Sequence, residues 1–97
     1  MEINPAEFLY NELEVIADKF PGVHIRCGYN AVIKFHVVEL LPLEQFKNNI
    51  ELANAWMSLY FKFVETFNHK DITFISADAT LSLGKLLFEF NEPRSSR

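Results

Sequence analysis

The chain is poor in glycine, cysteine and basic residues and has no long apolar run, and each shortage removes a class of function. One cysteine in 97 residues leaves no intramolecular disulfide, so packing must hold the fold. The three glycines, Gly22, Gly28 and Gly84, are too few and too scattered to cradle a phosphate. No G-x-S-x-G, G-x-G-x-x-G, Walker A or H-E-x-x-H pattern occurs, so no catalytic residue and no cofactor is expected. Nine bases against thirteen acids leave a net charge of −4. That balance argues against nucleic acid as a partner, because affinity for a phosphate backbone comes from clustered Lys and Arg that displace counterions. The most apolar segment is interrupted by Lys62 and Glu65, short of the roughly 18–20 apolar residues that cross a bilayer, so no membrane span is expected. The opening Met1-Glu2-Ile3-Asn4-Pro5-Ala6-Glu7 is acidic and turn-like, unlike a secretory signal, and a lone cysteine suits a reducing compartment; the cytoplasm is the expected location.

What the chain does have is apolar and aromatic bulk: 49% hydrophobic residues, ten phenylalanines, three tyrosines and one tryptophan. A chain of this size and composition makes one globular domain, placed at residues 1–90, with the polar stretch 91–97 as a flexible tail.

Asn4, Pro5 and Glu7 fall at N-cap, N1 and N3 and start a first helix, in which Leu9, Leu13, Ile16, Ala17 and Phe20 form one apolar stripe before Pro21-Gly22 stops it. Alternation then predicts a hairpin, Val23 to Cys27 and Ala31 to Glu39. With Gly28-Tyr29-Asn30 as a three-residue loop and Asn30 left-handed, Cys27 faces Ala31, Ile25 faces Ile33 and Val23 faces Phe35. Leu41-Pro42-Leu43-Glu44 starts a second helix that runs to Phe67 and ends at Asn68. Its apolar residues span an arc of about 200° at about 100° per residue, against about 100° for an ordinary surface helix. Gln45 and Asn49 lie inside that arc, which sets the first turn or two apart as exposed, kinked or separate. Ile72 to Ser76 and Leu81 to Phe90 read as a second hairpin around Ala77-Asp78-Ala79-Thr80, with a bulge at Gly84; a short helix over Leu81 to Phe88 competes. The expected fold is an α+β two-layer sandwich in the order helix-hairpin-helix-hairpin (αββαββ), a four-stranded, mainly antiparallel sheet with both helices on one face.

Three constellations are candidates for function. His24 and His36, with Cys27 and His69 nearby in type, invite a metal test. Cys27 points to the other face in the expected register, and Arg26 and Lys34 repel a cation, so no metal site is expected. His24, Arg26, Lys34 and His36 together make a cationic strip on the outer sheet face, suited to an acidic partner or to plain solvation. The second helix carries Trp56, Tyr60, Phe61, Phe63 and Phe67, more aromatic surface than one sheet covers, and the surplus calls for a partner. The functional expectation is therefore a small, non-enzymatic protein–protein interaction domain, homodimeric or bound to another protein. An acidic, immunity-type inhibitor of a basic partner and a small-ligand binder with an aromatic pocket are the alternatives.

Overall fold

The computed structural model describes residues 3–69 and 71–90; the predicted tail, 91–97, lies outside them. The element order is α1 (Pro5–Lys19), β1 (His24–Asn30), β2 (Phe35–Leu41), α2 (Leu43–Asn48), α3 (Ile50–Phe67), β3 (Ile72–Ser76) and β4 (Lys85–Phe90). The fold is α+β, with three helices and a four-stranded mixed sheet of order β3-β2-β1-β4.

The helix ends follow local chemistry. The Asn4 side chain accepts from the Glu7 amide at 2.8 Å, and Pro5 occupies the first turn, where its missing N–H removes no helical bond. The long second helix of the sequence reading is two helices. Asn49 breaks it by accepting from the Leu52 amide at 3.0 Å, and its Nδ2 donates to Gln45 Oε1 at 2.8 Å. The two polar residues inside the apolar arc are thus the hinge and N-cap of α3. Asn68, left-handed at φ 61°, ends α3 with its amide donating to the Val64 carbonyl.

The first hairpin forms in a different register from the predicted one. β1 and β2 pair antiparallel with Ile25 opposite Leu40, Cys27 opposite Val38 and Asn30 opposite Phe35, and residues 31–34 make the turn. Asn30 opens that turn, its Oδ1 accepting from the Val32 amide at 3.0 Å, and the left-handed residue is Lys34, not Asn30. Gly28 is a strand residue. A Cβ there would lie 2.6 Å from the Leu83 carbonyl oxygen and 2.8 Å from its Cγ, so the glycine serves close approach by a distant segment.

That segment replaces the second predicted hairpin. β3 pairs parallel with β2, which the intervening helices allow, and β4 pairs antiparallel with β1 at the opposite edge. Residues 77–84 therefore cross the sheet between its two edges. Nine peptide steps at about 3.3 Å reach about 30 Å, enough to traverse three strand spacings of about 4.8 Å. Residues 81–84 are neither strand nor helix, and the bulge falls at Leu87, where Cys27 pairs with Phe88 and Gly28 with Leu86.

Both sheet faces are covered around the middle of β2, where Val37 and Val38 are consecutive and both buried. Val38 joins the main core with Phe8, Leu9, Leu13, Leu52, Leu59 and Phe63 from the helices and Ile25, Cys27 and Leu40 from the sheet. Val37 points to the other face, alongside Gly28, where Leu83 of the crossover lies.

Candidate functional site

The shifted register dissolves the cationic strip. His24 and Arg26 do share a face of β1, but each is matched with an acid: His24 Nε2 lies 2.7 Å from Glu89 Oε2, and Arg26 donates to Glu39 Oε1 at 3.0 Å. Lys34 sits exposed in the turn. His36 turns to the helix side, its ring 5.0 Å from Tyr29 and 6.3 Å from Phe63. The four residues make no common surface, because a hairpin closed seven positions along, rather than in step with Gly28-Tyr29-Asn30, reverses the faces of β2. His24 and His36 do not converge on a metal, and no group of three or more His, Cys, Asp or Glu among the described residues could hold one. Cys27 is fully buried, and burial pushes its thiol up to about 12, so it stays protonated and packs as an apolar group.

His36 is instead a buried-side neutral histidine. Desolvation and the neighbouring His69 lower its pKa, with Asp71 opposing them. The unfolded chain then binds a proton that the folded domain resists, so stability is full above the ordinary histidine value of about 6.5 and falls as pH drops through the depressed folded value. The melting temperature of the wild type should drop more between pH 7.5 and pH 5 than that of His36→Gln. Equal drops would show that another group sets the acid limb.

The five aromatic candidates separate into core and surface. Phe63 is fully buried and Phe67 half-buried, because α1 brings Phe8 against both, with ring centroids 6.1 Å and 5.3 Å away. Trp56 is half-buried in a stack between Phe46 of α2 (5.8 Å, 3° between planes) and Phe74 of β3 (4.9 Å, 27°). Its indole N–H is buried with no acceptor among the described residues, so stacking holds the ring. Tyr60 is half-buried, and Phe61 is 64% exposed.

Trp56, Tyr60 and Phe61 line one groove of about 520 Å³ between α3 and the β3 edge, with Met57, Phe35, Ile72, Thr73 and Phe74 completing it. Among the described residues no carboxylate, imidazole, thiol or amine lines it. Phe35, Phe74 and Met57, which is 45% exposed beside Phe61 on the helix, are groove residues that the sequence does not single out as candidates. The signal for Met57 was the width of the apolar arc. No helix among the described residues is long and apolar enough to cross a membrane. Comparison with protein families, with curated proteins and with solved structures finds no match to this chain.

Proposed function

We propose that this chain is a non-catalytic protein–protein interaction domain whose contact surface is the flank of α3 beside the β3 edge. In this reading the domain is a two-layer sandwich in which α1 covers one flank of α3 and leaves the other for a partner. One observation carries it: Phe61 and Met57 stand exposed on that flank, over a groove with no charged side chain in its lining among the described residues. Large uncharged apolar grooves of this kind serve recognition, while proton transfer and phosphate binding need groups that this one lacks.

A second copy of the chain is a second reading. Ile50, Met57 and Phe61 are all exposed, and with Asn54 they form a stripe at helical spacing along α3, a surface that two-fold pairing of helices would bury.

A photo-crosslinking residue placed in the source cell at position 61, or at position 15 as a control, tests the surface. Val15 on α1 is as exposed as Phe61, at 64%. A discrete crosslinked product is expected at 61 and not at 15, with the same chain or another protein as the second component. Identical patterns at the two positions would refute the assignment.

A further inference from the structure

The two edges of the sheet are not alike. β4 carries the bulge at Leu87 and has Lys85 and Glu89 among its six residues, devices that keep an edge strand from pairing with another chain. β3, at the other edge, is Ile72-Thr73-Phe74-Ile75-Ser76, with no charge, proline or bulge. Its inner side is bonded to β2, and among the described residues no other strand pairs with its outer side. The apolar groove lies along this same strand, since Ile72, Thr73 and Phe74 are part of its lining.

Resting on the interaction-domain reading, we infer that the partner at this flank is a short extended peptide segment, uncharged and with an apolar side chain at every second residue. It adds as a fifth strand to the outer edge of β3 and places its apolar side chains in the groove under Met57 and Phe61. Strand addition joins main-chain hydrogen bonds along the edge to pockets for alternate side chains, and a bare edge beside an uncharged groove supplies both.

Area selects the segment over a second copy. Phe61 at 64% exposure offers on the order of 130 Å², at about 150–250 Å² for a whole aromatic side chain, Met57 is 45% exposed, and the other groove aromatics, Phe35, Trp56, Tyr60 and Phe74, are half-buried and add less each. A standard interface buries about 800 Å² on each partner. The flank is thus matched in size to a strand of five to seven residues.

The probe is an acetylated, amidated heptapeptide, TVTFTVT, with companions in which Leu, Met or Tyr replaces the central Phe. Trp56 is the only tryptophan and lines the groove, so its emission reports binding directly. Two further versions carry N-methyl groups on alternate amides, one set in each. Strand addition requires only one set of amides to face β3, so one version should bind like the parent and the other at least tenfold more weakly. Amide exchange in β3 should slow on binding, and Phe61→Ser should weaken binding where Val15→Ser does not. The inference is overturned if no member of the panel changes Trp56 emission at millimolar concentration, if the two methylated versions bind equally, or if sedimentation shows a second copy on the flank. A crosslink at position 61 without peptide binding would retain the surface and discard the strand; absence of both would discard the surface as well.

Discussion

Phe63→Ala is expected to leave the domain largely unfolded at room temperature or to lower its melting temperature by well over 10 °C. Phe63 is fully buried and is the one side chain that touches every part of the aromatic centre: Phe8 of α1 at 6.1 Å, Phe67 at 4.9 Å, His69 at 5.5 Å and His36 of β2 at 6.3 Å. Truncating a buried phenylalanine costs about 3–5 kcal/mol through lost transfer and the cavity left behind. A domain of this size has about 5–15 kcal/mol in total, and each kcal/mol moves its melting temperature by about 4–8 °C. Phe63→Leu, which keeps most of the volume, should cost distinctly less. Phe61→Ala removes the same side chain two positions earlier from an exposed site and should shift stability by no more than about 0.5 kcal/mol. Denaturant or thermal unfolding of the three variants checks this. Comparable losses from Phe61→Ala and Phe63→Ala would mean that α3 does not present these two residues to opposite environments.

That contrast also shows what could be read from sequence and what could not. The breadth of the apolar arc on the second helix revealed a surplus of aromatic surface, but not which members formed it. The choice between Phe61 and Phe63 is made by Phe8, more than fifty residues away, which packs against Phe63 and Phe67. Signals confined to one turn of chain were legible: Asn4 caps α1 and Asn68 ends α3 because a side chain or backbone group reaches only three or four residues. Gln45 and Asn49 announced an interruption for the same reason. Registers and partners were harder. Alternation in Ile72 to Ser76 marks a strand but is the same for a parallel or an antiparallel neighbour, so the pairing of β3 with β2 was not visible in it. Gly28 resembled a turn residue because glycine signals backbone freedom and close approach alike. Reading it as a turn displaced the hairpin, put His36 on the wrong face and created a cationic strip that the folded chain does not have.

Gly84→Ala is expected to release β4 from the sheet and to cost about 2–5 kcal/mol, the sum of two separate penalties. Gly84 has φ +80°, a left-handed backbone that costs an L-residue about 1–2 kcal/mol. An added Cβ would also press on the Tyr29 carbonyl oxygen and on the Asn30 Cα, both backbone atoms of β1 that cannot rotate aside. Overpacking of that kind costs about 1–3 kcal/mol. The damage should be local at first. Among the described residues β4 pairs with β1 alone, and the Asn30 Nδ2–Ser82 carbonyl bond, 3.0 Å long, ties the crossover to the same place. Amides of β4 should therefore lose exchange protection before those of β2 and β3. The other two glycines order the test. Gly28→Ala meets the Leu83 and Lys85 carbonyls without a positive φ, so it should incur the overpacking penalty alone, about 1–3 kcal/mol. Gly22→Ala meets nothing within 4 Å and should change stability by no more than about 0.5 kcal/mol. Urea unfolding of the three variants should rank them Gly84, Gly28, Gly22 in order of decreasing loss. Equal losses would mean that the crossover is not seated against β1 and Gly28. The face of Val37 would then be open, and the flank of α3 would no longer stand apart as the apolar surface left for a partner.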